Sequence, residues 1–200
     1  MTLSTRSLGR PEASLPRPGT IQIFTFKEGL LSRLAHDLCV GVRSFEIELR
    51  NGQVFARFDV LSARVDGVVQ GERVDPNRFS RQDTDVIERN MRDAILNAAR
   101  FPVVELEGAV HPSGIDRWSV RGRLKIVGQT CEIEVPVTRV GTELLVDLDI
   151  TPSAWGIKPF TTMGGAIGIQ DRWRVRVRLA LGAHAPGALL RQEGVVRWVG

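Results

Sequence analysis

Hydrophobic and polar residues alternate with a period of two along most of the chain from Thr20 onwards. The clearest case is DRWRVRVRLAL at residues 171–181, where one face carries Trp173 and aliphatic residues and the other face carries four arginines. A helix would spread these arginines around its surface, whereas a strand places them in one row. Similar alternation predicts further strands within residues 21–27, 45–50, 54–60, 103–110, 118–126, 131–137 and 143–150.

Turn residues separate the alternating runs. Asn51-Gly52 lies between two of them and is a strong hairpin signal, and Gly128-Gln129 and Gly141-Thr142 occupy similar places. About eight strands joined mostly by short turns are typical of an antiparallel sandwich or a closed barrel. On neighbouring strands, the outward Asp147 and Asp149 are expected to pair with arginines of residues 172–178.

One segment has helical rather than strand periodicity. Residues 83–102 place Ile87, Met91 and Ile95 on one face, and Pro102 follows where a helix cannot continue. We therefore predict one inserted α-helix at about residues 83–100 in a mainly β fold.

Length and composition indicate one domain with two tails. The chain has 200 residues, of which 42% are hydrophobic, and this suits a single globular unit. The first 19 residues are rich in proline and glycine, and residues 182–200 show no clear period, although Val195, Val196, Trp198 and Val199 are apolar enough to dock on the body. We predict an N-terminal tail at 1–19, a barrel domain at 20–181 and a C-terminal extension at 182–200.

Charge and targeting signals narrow the function classes. The net charge of +4 comes from scattered arginines rather than a basic cluster, so we expect no nucleic-acid partner. The N-terminus shows no secretory signal, and no run approaches the roughly 20 apolar residues of a transmembrane helix. The expectation is a cytoplasmic protein without a transmembrane segment.

The stretch LLSRLAHDLCV at residues 30–40 is the one candidate for side-chain chemistry. His36, Asp37 and Cys39 are close in sequence, but neighbours on a strand point to opposite faces. Parity places His36 with Leu34 and Leu38 on the inner face, and places Asp37 and Cys39 on the other. The chain has three histidines and lacks nucleophile-elbow and nucleotide-binding glycine motifs. We therefore expect no metal site and no catalytic residues.

Four stretches resemble the YceI-like family of polyisoprenoid-binding, lipocalin-like proteins. They are AHDLCVGVRSFEIEL with its early histidine, MRDAILNAARFPVVELEG with its helix before a strand, WSVRGRLKIVGQTCEIEVPV, and SAWGIKPFTTMGGAIGIQDRWRVRVRL. Together they span about residues 20–181. Many relatives carry a signal peptide, so the resemblance is to a divergent branch.

The resemblance implies an eight-stranded antiparallel lipocalin-like barrel whose lumen holds an apolar chain. An isoprenoid quinone or a fatty-chain lipid is the implied ligand, and no cofactor is required. A barrel of about eight strands has an interior suited to side chains or one small ligand. The candidate lumen and mouth residues are His36, Leu38, Phe58, Trp118, Leu124, Val146, Trp155, Lys158, Phe160, Trp173 and Val175.

Several alternatives remain open at this point. The lumen is either hollow or filled with side chains, and Lys158 either meets a ligand headgroup or is solvated. The competing functions are a small-ligand enzyme that uses His36 at the barrel mouth and a ligand-free, stress-associated interaction module. The oligomeric state, a homodimer included, is also open.

Overall fold

The structure is a computed structural model that describes residues 17–29, 36–162, 164, 166–181 and 195–200. Thirteen strands and one α-helix account for most of these residues. The elements are β1 Arg17–Glu28, β2 Leu38–Val42, β3 Phe45–Arg50, β4 Gln53–Asp59, β5 Ala63–Gln70, β6 Arg73–Asp75, α1 Arg81–Asn90, β7 Val103–Gly114, β8 Arg117–Ile126, β9 Gln129–Val140, β10 Glu143–Ile150, β11 Thr161–Thr162, β12 Ile167–Ala180 and β13 Val195–Val199. Short 3-10 turns occur at Val60–Ser62 and Pro152–Trp155.

Nine of the strands close into a barrel. Their order around the ring is β1-β12-β10-β9-β8-β7-β4-β3-β13, and β13 returns to β1. A ring in which every neighbour is antiparallel needs an even number of strands, and nine therefore force one parallel pair. That pair is β13 with β1, through Arg17–Trp198 and Pro18–Val199.

The barrel has nine strands, whereas the sequence predicted eight. The ninth comes from residues 195–199, which we assigned to an extension without clear periodicity. Val195–Val199 pairs along the whole of its length with β3, and Trp198 is 2% exposed, so this segment completes the barrel wall. Of the apolar residues noted there, Val196 and Trp198 are buried in the core, whereas Val199 is 38% exposed.

The hairpin and charge predictions are confirmed. Asn51 and Gly52 both have positive φ, 49° and 73°, and they join β3 to β4 as a two-residue turn of the kind that suits the twist of a hairpin. Asp147 and Asp149 face Arg176 and Arg174 across β10 and β12, with N–O distances of 2.9 Å and 3.1 Å. Because these pairs are exposed, each contributes little to stability.

Strands β2, β5 and β6 form a flap that is attached to β1 through the pairing of β2 with Ile21–Thr25. Cys39 pairs with Gly67 and Val40 pairs with Val65, so Asp66 is an extra residue, a β-bulge, in β5. The flap, α1 and the end of the barrel enclose a common space.

The helix differs from its prediction at both ends. It begins at Arg81, because Ser80 and Asp83 form a capping box. After Asn90 the backbone widens into a π-turn at Met91–Ile95, and Asn97 adopts a left-handed φ of 44°. Asparagine tolerates that conformation better than other non-glycine residues, so the helical segment ends several residues before Arg100.

Candidate functional site

A cavity of about 440 Å³ lies between the flap, α1 and one end of the barrel. Its walls are the inward faces of β1, β2 and β12, the ends of β4, β8 and β10, and the apolar face of α1 with its π-turn. Most of the lining is aliphatic or aromatic. A volume of this size is within the range of small-molecule sites, which run from about 300 to 1,000 Å³. We call this space the outer chamber.

A second cavity of about 170 Å³ lies deeper in the barrel, and every described residue that lines it is apolar. We call it the inner chamber. Five side chains border both chambers, and they come from four strands: Phe58, Leu124, Ile150, Val175 and Val177. The barrel is therefore hollow in two successive chambers, which resolves the alternative that the sequence left open.

Ten of the eleven residues selected from the sequence border one chamber or both. Trp118 and Val146 line the inner chamber, Phe58, Leu124 and Val175 line both, and the outer chamber is lined by His36, Leu38, Lys158, Phe160 and Trp173. Trp155 is the exception. It is 5% exposed, packs against Leu124 and Ile126, and its indole Nε1 donates to the Leu124 carbonyl at 2.8 Å, so it supports the wall from behind.

Some residues that line the outer chamber lie in the helical segment and the connecting loops, and the sequence analysis did not select these. Ile87, Met91 and Ile95 of the helical segment, with Phe79 and Ile157 of the connections, complete the outer chamber. The helical spacing of the first three was visible in the sequence, but nothing local indicated which surface that face would cover.

Three basic side chains, those of Lys27, His36 and Lys158, are among the residues that line the outer chamber. The register between β1 and β2 ends at Thr25 with Leu38, and beyond it the Lys27 backbone N–H donates to Oδ1 of Asp37 at 2.8 Å. On its other side Lys27 pairs with Ile169, whose N–H donates to the carbonyl of Phe160, two residues after Lys158.

The sequence of the chain matches one known protein family. A family model described as YceI-like domain matches residues 40–181, which is more than two thirds of the chain. The chain belongs to the YceI-like family. No curated protein has a matching sequence.

Solved structures show the same fold for this YceI-like domain. Burkholderia cenocepacia BcnA is 17% identical with a TM-score of 0.54, and the match covers 80% of this chain and 94% of that one. A polyisoprenoid binding domain from Saccharophagus degradans, implicated in plant cell wall breakdown, is 14% identical with a TM-score of 0.52 and coverages of 80% and 91%. At these identities the likeness extends to the fold alone.

A buried carboxylate anchors α1 of the YceI-like domain to its flap. The bulge at Asp66 disturbs the β2–β5 ladder, and the Val65 N–H donates instead to Oε1 of Glu88 at 3.0 Å. Glu88 is 7% exposed, and Arg64 and Arg92 lie within 3.7 Å of its other oxygen. The helix that roofs the outer chamber is thereby tied to the strand that walls it.

Substituting Glu88 tests this anchor. Glu88→Ala leaves the Val65 N–H without its acceptor, and we expect the free energy of unfolding to fall by about 2 kcal/mol. Glu88→Gln keeps a carbonyl oxygen at the same place and should cost less than half as much. Urea denaturation followed by tryptophan fluorescence measures both, and equal losses for the two variants would show that the charge, rather than the acceptor, holds the helix.

Cys39 is not among the residues that line the chamber, and it lies on the opposite face of β2 from Leu38 and Val40, as the alternation predicts. It is fully buried, its Sγ is 3.7 Å from Oδ2 of Asp66, and Arg43 pairs with the same carboxylate. Burial first, and then the charge of Asp66, raises the pKa of the Cys39 thiol from 9.0 to about 12. Asp37 is not among the residues that line the chamber, and its Oδ1 accepts a hydrogen bond from the backbone N–H of Lys27 at 2.8 Å.

The raised pKa predicts an unreactive thiol. At pH 8 the thiolate fraction of Cys39 should be about a thousandfold below that of an ordinary cysteine, so a thiol reagent should label the half-buried Cys131 first. Mass spectrometry of Cys131→Ser should then show almost no labelling until urea is added. Because the folded protein keeps this proton at a pH where the unfolded chain releases it, the free energy of unfolding should be unaffected by Cys39 below pH 9 and should fall as the pH rises from 9 towards 12. Rapid labelling of the native Cys131→Ser variant at pH 8 would contradict the buried placement.

No group of three or more histidine, cysteine, aspartate or glutamate side chains suited to a metal ion occurs in the described part of the chain. Within the same residues, no helix has the length and apolar character needed to cross a membrane.

Proposed function

We propose that the protein binds and carries a lipophilic molecule with one long apolar chain, without catalysing a reaction. The observation that carries the proposal is the pair of successive chambers with largely apolar linings. Transfer of apolar surface out of water contributes about 25 cal/mol per Å², so a chain threaded through both chambers gains affinity along its whole length. An isoprenoid quinone and a fatty-chain lipid both have this shape, and the polyisoprenoid-binding Saccharophagus domain has the same fold.

The placement of the chemistry-bearing residues supports a non-catalytic role. The His36 ring packs edge-on against Phe79 with 5.5 Å between ring centroids, while Asp37 is held by the Lys27 backbone. Cys39 is on the other face of the strand and is protonated at neutral pH. The residues that suggested an enzyme in the sequence therefore do not converge on one reacting atom.

A competition titration tests the proposal. A fluorescent fatty-chain probe should bind the purified protein with one site per chain, and geranylgeraniol or hexadecan-1-ol should displace it. Short analogues of about four carbons should displace it at least 100-fold less well, because they fill a fraction of the outer chamber. Failure of the probe and of every long-chain competitor to bind would overturn the proposed function.

A further inference from the structure

The two chambers differ in polarity. Every polar or charged side chain among the described residues that border either chamber lines the outer one, as Thr25, Asn90 and Gln170 do, whereas the lining of the inner one is apolar. A polar head placed in the inner chamber would lose its hydrogen bonds to water and find no partner there. The polar end of a bound molecule therefore lies in the outer chamber, and the end of its apolar chain lies in the inner one.

The inner chamber has a floor at its far end. Leu49 is the last residue but one of β3, Leu144 is the second residue of β10, and Leu179 is the last but one of β12. Although they lie so near the ends of their strands, these three side chains are 9%, 6% and 7% exposed, and all of them line the inner chamber. A chain that enters from the outer chamber has to stop at this floor.

Ala56 has the smallest side chain among the described residues that line the inner chamber, since all others are valine or larger. It is 3% exposed, and its register partners Ile47 and Leu106 line the same chamber. On β4 it lies two residues from Phe58, which borders both chambers, and two residues from Val54, beside the floor. Ala56 is thus midway between the entrance of the inner chamber and its far end.

The spacing along β4 gives the depth that is at stake. From Phe58 to Val54 the strand rises by about 13 Å, which is about 10 Å along the axis of a barrel with ordinary strand tilt. The methyl group of Ala56 leaves the middle of this depth open to a chain. A larger side chain at the same position would close the half that lies beyond it.

We propose that the inner chamber selects ligands by the length of their apolar chain, and that Ala56 is the residue whose small size sets the limit. A chain gains affinity with each methylene that leaves water, until its end meets the floor. Further methylenes add little, because they have no room in the inner chamber. This inference rests on the proposed function, because it assigns a length to the chain that the chambers hold.

A series of straight-chain alcohols measures the limit. The even-numbered members from octan-1-ol to icosan-1-ol are delivered from cyclodextrin, and each displaces the same fluorescent probe. For the wild-type protein the affinity should rise by about three- to fourfold for each methylene and then level off. Because solvent and carrier are the same for every protein, a difference between variants reports the chamber alone.

Filling position 56 should shorten the limit. In Ala56→Phe the affinity should level off at chains shorter by about two to four carbons, so hexadecan-1-ol should bind at least about tenfold more weakly than it binds to the wild type. Octan-1-ol, whose chain the outer chamber holds, should change by less than about twofold. Ala56→Leu introduces a smaller side chain and should shift the limit in the same direction by less.

The matched control is on the neighbouring strand. Ala109 on β7 pairs with the exposed residues Gln53 and Arg121 and is not among the residues that line either chamber. Ala109→Phe should therefore leave the affinities of the whole series within about twofold of the wild type. Circular dichroism checks the folding of each variant.

The outcomes separate this inference from the proposed function. A folded Ala56→Phe variant with the limit of the wild type, or with equal weakening of octan-1-ol and hexadecan-1-ol, overturns the selection by length and leaves the carrier role standing. If Ala56→Phe does not fold, Ala56→Leu decides by the same criteria. Absence of binding by every alcohol of the series overturns the proposed function itself.

Discussion

Replacing Thr25 by tryptophan is expected to weaken the binding of long-chain ligands by at least about 100-fold. Thr25 is half-buried on β1, pairs with Trp173 on one side and Leu38 on the other, and borders the outer chamber. An indole there would occupy the space that the ligand chain needs, and a 100-fold change corresponds to about 2.8 kcal/mol of lost binding. The displacement titration with hexadecan-1-ol measures the effect.

The matched control is on the same strand. Thr20→Trp introduces the same side chain at an exposed position on the outward face of β1. It should change the affinity by less than about twofold, and both variants should show the circular dichroism spectrum of the wild type. Unchanged binding by the folded Thr25→Trp variant would mean that the ligand does not enter the outer chamber.

Truncating Trp198 is expected to cause the largest loss of stability. This side chain is 2% exposed, lines the inner chamber from β13, and its Nε1 donates to the carbonyl of Ala180 at 2.9 Å. Trp198→Ala removes that packing and leaves an enlarged cavity, and the free energy of unfolding should fall by about 4 kcal/mol. Because β13 is the strand that closes the ring between β1 and β3, the loss should appear as a shift of the whole transition.

Trp198→Phe separates packing from the hydrogen bond. The phenyl ring keeps most of the buried apolar area but cannot donate to Ala180, so we expect a loss of about 1 to 2 kcal/mol. Urea denaturation by circular dichroism measures both variants. A loss below about 1 kcal/mol for Trp198→Ala would contradict the placement of residues 195–199 in the barrel wall.

Most strands of the barrel wall were predictable from the sequence. One face of each strand is exposed to solvent and the other faces the interior, so polar and apolar residues alternate with a period of two. The arginine row of β12 and its partners Asp147 and Asp149 follow from that rule and from strand adjacency. Strand β13 was not predictable in the same way. It is five residues long, and its parallel pairing with β1 joins the two ends of the chain, so no local pattern reports it.

The candidate site was predictable to the extent that parity fixes which side chains face inward. His36, Phe58, Trp118 and Val175 were found in this way. The size of the chambers was not predictable, because a lumen lined by valine and leucine reads the same whether it is filled or hollow. The position of α1 over the outer chamber was not predicted either. The spacing of apolar residues shows which face of a helix is apolar, but it does not show which surface that face covers.

Parity also decided the interpretation of residues 36–39. A histidine, an aspartate and a cysteine within four residues resemble the start of an active site. Alternation sends His36 into the chamber, and the structure gives Asp37 and Cys39 other partners.

Native mass spectrometry of freshly purified protein tests the central claim most directly, since it asks whether the chambers hold a long-chain molecule in the cell. We predict a population of one protein chain with one bound compound, which organic extraction removes and which is absent from Thr25→Trp but present in Thr20→Trp. A wild-type spectrum of ligand-free protein that stays ligand-free after incubation with hexadecanoate, hexadecan-1-ol and geranylgeraniol would contradict the account.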